Sequence, residues 1–237
     1  MKSPAMNPLN NSTLSATILI AIVLATVLGV HSQQLQKGIH VDLAQTTSAH
    51  PMPAADESNA WIITIAHDGR LWFGTNPVSR TALLDSMIST PRLRDQNLYI
   101  KVDARAHYVD VASVLKEART VKFDSSVLLT GQPESPQPGT ILPPKGLTVW
   151  LSSTATSSPK LELEVIGSSN SVPVLKVNGR EIPASSVQGS LEPMLASEAD
   201  KAVVVRASGS LAFNQVAQVL DVLTQMKVKI VIDIPEV

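Results

Sequence analysis

The sequence predicts an α+β fold, with one N-terminal transmembrane helix followed by two small two-layer modules of sheet and helix. Three observations predict it. A long uncharged apolar run opens the chain. After it, alternating apolar runs and runs with apolar residues three and four apart follow one order twice over. A proline-rich stretch separates the two copies.

From Ser3 to Gln36 there is no Lys, Arg, Asp or Glu. Within that window Leu14–Val30 is almost wholly apolar, and as a helix its 17 residues span about 26 Å. With Ser12, Thr13 and His31 the span reaches about 30 Å, one hydrocarbon thickness. Two readings meet here, an uncleaved anchor and a signal peptide cut before Gln33. The weak charge at the start and the length of the run favour the anchor. Both place everything after about residue 35 outside the cytoplasm.

KGIHVDL (Lys37–Leu43) recurs as KGLTVWL (Lys145–Leu151), each reading as a short strand. WIITIAHDGRLWF (Trp61–Phe73) pairs with VPVLKVNGREI (Val172–Ile182). Asp68-Gly69 and Asn178-Gly179 are the dipeptides that favour a type I′ hairpin, so each half carries a hairpin at the same place. Amphipathic stretches follow at Ser79–Ile88 and Ser186–Ala196, then apolar strands at Leu98–Val102 and Ala202–Val205. A second helix follows in each half. Tyr108, Val111, Val114, Leu115 and Ala118 line one face in the first, and Phe213, Val216, Val219, Leu220 and Leu223 in the second. The halves close with strands at Ser126–Leu129 and Lys229–Ile234.

Five prolines between Gly131 and Lys145 predict an extended spacer able to reach about 45 Å. The organisation is therefore an anchor at 1–36, a first module at 37–130, a linker at 131–144 and a second module at 145–237. A polar linker, Ala44–Asn59, precedes the first hairpin, and KLELEV (Lys160–Val165) reads as an extra strand in the second half.

Composition narrows the function. Lys and Arg total 19 against 20 Asp and Glu, so charge offers no basis for a nucleic-acid partner. The absence of cysteine excludes disulfides, thiolate zinc sites, iron–sulfur clusters and a Cys nucleophile. The five histidines have no metal-ligand spacing, and no phosphate loop or GxSxG turn is present. His67-Asp68 looks like an acid–base pair, but turn chemistry explains Asp68, and neighbours on a strand face opposite ways. The expectation is no enzyme, no cofactor and no metal. A carboxylate cap on the helix starting near Tyr108 is the ordinary explanation of Asp103. Tyr108 and Phe213 are expected to anchor their helices to the sheet.

The order of anchor, KG[IL]xVxL, hairpin at [DN]G and strand–helix–strand resembles the ExbD/TolR family, with the periplasmic module in tandem duplicate. The best local match is IKVDARAHYVDVASVLKEA (Ile100–Ala118). Asp103 falls on the family Asp and Tyr108 on the family Tyr. In the second half Phe213 takes the Tyr position, Ser208 the Asp position, and Asp221 falls on a family helix Asp. The resemblance implies a single-pass protein of the bacterial inner membrane, with the bulk of the chain periplasmic. It implies a subunit of a biopolymer transport complex beside a multi-spanning ExbB/TolQ-like protein. Further partners implied are a TonB/TolA-like protein or peptidoglycan, with a homo-oligomer or an intrachain pseudo-dimer. The family's anchor carries one proton-coupling Asp, and ionisable groups in lipid are kept for such work. Here the position holds Thr17, or Leu19 in a second register, and the first acidic residue is Asp42. A Thr hydroxyl releases no proton near neutral pH. An alternative with the same fold is a periplasmic adaptor or cell-wall-binding protein that has lost motor coupling.

Overall fold

A computed structural model of the chain describes residues 38–93, 95–131, 142–151, 161–167, 173–196 and 201–234. The apolar segment, Thr17 and most of the proline-rich stretch lie outside the described residues. Among the described residues no helix is long and apolar enough to cross a membrane.

The first half holds β1 (His50–Pro51), β2 (Trp61–Ile65), β3 (Leu71–Phe73), β4 (Asn76–Val78), helix α1 (Arg80–Ser89), β5 (Leu98–Val102), helix α2 (Tyr108–Thr120) and β6 (Ser125–Thr130). The second holds β7 (Lys145–Leu151), β8 (Glu162–Ile166), β9 (Val174–Val177), β10 (Arg180–Ile182), helix α3 (Val187–Ala196), β11 (Ala202–Ala207), helix α4 (Phe213–Gln225) and β12 (Lys229–Ile232). All the strands belong to one mixed sheet. Its order is β10-β9-β8-β11-β12-β7-β6-β5-β2-β3-β4, with β1 against β7. The fold is thus α+β with a large mixed sheet and four helices among the described residues. The neighbour order outward from β6, through β5, β2, β3 and β4, matches the order outward from β12, through β11, β8, β9 and β10.

The strand patterns explain which faces are covered. β2 is WIITI and is buried at all five positions, which requires cover on both sides. Ile63 and Ile65 enter the large core under the helices, whereas Ile62 joins Tyr99, Val127, Leu129 and Ala55 in a small core on the opposite face. β8 is ELEVI. Leu163 and Val165 are buried while Glu162 and Glu164 are partly open, the alternation of a strand covered on one side only. Residues 38–60 supply the second cover for the first half, including a 3₁₀ turn at Pro53–Asp56.

Four sequence expectations change. KGIHVDL forms no strand beyond an isolated bridge of Leu43 to Asp103. The edge of β6 that it would need is taken by β7, antiparallel from Ser125↔Trp150 to Thr130↔Lys145. Gly146 makes that junction tight, for a Cβ there would stand 2.5 Å from Val127 Cγ1 and 3.0 Å from the Leu128 carbonyl. Second, the two glycine turns are not equivalent. Asp68-Gly69 joins β2 to β3, while Asn178-Gly179 joins β9 to β10. Only the latter has positive φ at both residues, 48° and 79°. In the former the Gly69 N–H donates to the Ala66 carbonyl, and Gly69 alone is left-handed. Third, KLELEV is no addition, because β8 occupies the place beside β11 that β2 occupies beside β5. Fourth, Thr130 pairs directly with Lys145, so the ends of the proline-rich stretch meet and its reach is not used. The closing strands β6 and β12 are not neighbours, since β7 lies between them.

Candidate interaction site

The first turn of any helix leaves backbone N–H groups without partners inside the helix. His107 and Ala212 are the N-cap residues of α2 and α4, both extended, and neither caps with its side chain. The orphan donors are satisfied by the other half instead. Tyr108 N–H donates to the Leu211 carbonyl at 2.8 Å, and Val109 N–H to Gly209 at 3.0 Å. Reciprocally, Phe213 N–H donates to Ala106 at 2.8 Å, and Asn214 N–H to Ala104 at 2.9 Å. Each donor and each acceptor is matched by the residue 105 positions away in the other half. His107 and Ala212 therefore face each other as an antiparallel bridge, with the hydrogen bonds on either side of them.

Around this lock lie the residues singled out by sequence. Asp103 is buried to 3 % exposure between β5 and α2. Its carboxylate accepts from Arg105 Nε at 2.9 Å, from the Arg105 backbone at 3.0 Å and from the Asp42 N–H at 3.4 Å. Hydrogen bonding from the Arg105 side chain, more than any other contact, holds this carboxyl below its ordinary range against the opposing pull of burial. Asp103 does not cap α2. It folds the loop ahead of the helix and ties it to residue 42, a role that the neighbouring Arg signals only in hindsight. Tyr108 and Phe213 are both buried in the large core. The Tyr108 hydroxyl has no hydrogen-bond partner among the described residues. Burial first, and Asp233 second, push its pKa well above the ordinary phenol range. Asp221 lies on α4 and grips Thr47 and Ser48, accepting from Thr47 N–H and Oγ1, both at 2.9 Å, and from Ser48 N–H at 2.7 Å. Thr17 lies outside the described residues.

Some participants carry little sequence signal. Arg80 at the start of α1 pairs with Asp110 on α2, and the Gly69 turn rests on the same carboxylate. The residue matching Asp110 in the second half is Gln215, whose side chain accepts from the Ala212 N–H at 3.1 Å. Val187 opens α3 where Arg80 opens α1. The ion pair is thereby missing, and a groove of about 1000 Å³ opens there. It has a floor of Leu175, Val187, Leu211 and Val219 and a rim that includes Asn214 and Gln218. No Asp, Glu, Lys or Arg lines it among the described residues. On the opposite face of the first half, Lys101 is 2 % exposed beside Thr64 and under Gly38. Burial lowers its pKa to about 8, with Asp56 opposing. No group of three or more His, Cys, Asp or Glu side chains is placed to hold a metal among the described residues. The arrangement offers backbone-to-backbone locking, a groove without carboxylates, lysines or arginines among the described residues, and a covered sheet face.

Comparison with curated proteins and with solved structures gives no match. The sequence pattern of the family described as biopolymer transport protein ExbD/TolR matches residues 13–133. That span covers just over half of the chain, beginning with the apolar segment and ending just past β6. The chain belongs to the ExbD/TolR family of biopolymer transport proteins.

Proposed function

We propose that this chain is a non-enzymatic, membrane-anchored subunit of an energy-transducing transport complex in the bacterial inner membrane, with residues beyond the anchor in the periplasm. The observation that carries this is the start of the family match at residue 13. That match takes in the apolar run Leu14–Val30, which supports reading the run as an anchor. The second half is a further copy of the same module, and the chain is its own pseudo-dimer. The matched strand order and the reciprocal hydrogen bonds at a constant offset support this reading. The partner that fits is an ExbB/TolQ-like multi-spanning protein, with a TonB/TolA-like protein or peptidoglycan on the far side. Thr17 at the position of the family Asp argues against proton coupling through that position.

The absent carboxylate favours a second reading, an adaptor that uses the helix only as a tether. Two measurements separate them. Co-purification of the full chain with an ExbB-like protein, together with loss of function when Leu14–Val30 is replaced by an unrelated apolar anchor, is the expected result. Retained function with the foreign anchor and no co-purified partner would establish the adaptor.

A further inference from the structure

Residues 38–60 cross both halves through a few separate polar contacts. Asp42 meets Asp103 and Arg105, its carbonyl accepting from the Ala104 N–H at 2.7 Å. Thr46 Oγ1 donates to Thr130 Oγ1 at 2.7 Å, and its N–H donates to the Gly131 carbonyl. Thr47 and Ser48 bind the Asp221 carboxylate on α4. His50 and Pro51 pair with Gly146 and Lys145, and the Met52 N–H adds one more bond, to the Pro144 carbonyl at 2.6 Å. Pro51 and Pro144 themselves supply no donors to this short ladder. The buried apolar side chains that the segment itself contributes are all alanines: Ala55 against Ile62, Tyr99, Val127 and Leu129, and Ala44 and Ala49 at the margin of the large core. Polar groups are buried in the same interface. Thr64 Oγ1 lacks a partner among the described residues, and Lys101 lies beside it.

These features describe a cover with little apolar adhesion, desolvated polar groups beneath it and a small number of discrete fastenings. Segments of that kind open at free energies below global unfolding. We propose that residues 38–60 form a strap that opens as a unit while the sheet stays folded, with Asp221 as its latch, uncovering the apolar face of Ile62, Tyr99, Val127 and Leu129. The latch sits on the second half and the uncovered face on the first, so one carboxylate in α4 governs access to a surface of the other half. Chain upstream of residue 38 joins the strap directly, and any pull from that side loads the strap before the sheet.

Hydrogen exchange read by mass spectrometry on the full chain tests it. In the unaltered protein, amides of 42–52 are expected to exchange at least about tenfold faster than those of β5 and β7. Asp221→Ala is expected to speed the strap about tenfold more and leave β5 and β7 unchanged. The chain has no cysteine, so oxidised T46C/T130C gives a single crosslink, expected to slow the strap towards the sheet. Equal exchange of strap and sheet in the unaltered protein would overturn the proposal. So would Asp221→Ala accelerating both together, or a formed crosslink leaving strap exchange unchanged.

Discussion

Lys101 shows how a single buried charge sets a pH dependence. It is enclosed between the sheet and the strap, and its pKa falls from 10.5 to about 8 through loss of solvation. The folded state therefore binds this proton less readily than the unfolded one. Below about pH 8 the group is charged in both states and the burial penalty is fully present. Between about 8 and 10.5 the folded state is neutral while the unfolded state still holds the proton, so stability rises with pH across that window. Lys101→Met keeps the length and removes the charge. The expected result is a gain of roughly 1–3 kcal/mol below pH 8 and a flattened profile between 8 and 10.5, read by denaturant titration at a series of pH values. At this scale the sequence was only partly legible. LYIKV announces a strand, but nothing in it says that the lysine faces a cover made from residues 38–60. Asp103 was misread as a cap, because its partner Arg105 is exposed and local while its third contact, Asp42, lies far away in sequence.

At the level of elements, periodicity carried the helices. The faces Tyr108–Ala118 and Phe213–Leu223 fold as α2 and α4 because apolar residues three and four apart have one core to meet. Ser79 was legible as a start, and its side chain accepts from the Ala82 N–H in α1. The turns were less legible. An Asp-Gly or Asn-Gly pair states that a turn is present, but strand pairing around it decides the turn type. β3 is short and bends back into β4 at Gly74, so the first half carries a three-stranded meander where a single hairpin was expected. Asn178-Gly179 keeps both residues at positive φ, and a Cβ on Gly179 would meet nothing within 4 Å. Gly179→Ala therefore isolates the backbone cost, expected at about 1–2 kcal/mol of destabilisation. Gly189→Ala inside α3, equally open around its Cβ, is expected to stabilise by about 0.5–1 kcal/mol. Thermal melts of the two variants should move in opposite directions.

For the molecule as a whole, the matching strand order of the two halves was partly legible and the way the halves join was not. Reading two modules joined by a long spacer treats each as closed, but β6 leaves an open edge and KGLTVWL fills it from the second half. Two heptads alike at four of seven positions then adopt different states: KGLTVWL is strand β7, and residues 38–43 of KGIHVDL become part of the strap. That outcome depends on competition for one sheet edge, and no local pattern encodes it. The reciprocal hydrogen bonds at the α2 and α4 N-termini were invisible for the same reason, since backbone groups have no sequence signature. They are nonetheless what makes the halves a pair, and the proposed pseudo-dimer rests on them. The most direct measurement uses His107→Cys and Ala212→Cys in the full chain. Facing residues of a non-hydrogen-bonded antiparallel pair have Cα atoms about 4.5 Å apart, within disulfide range. The expected result is near-complete intrachain disulfide on mild oxidation, with monomeric mass on non-reducing gels. Crosslinked dimers with no intrachain bond would contradict it, and so would two thiols left free in the folded protein.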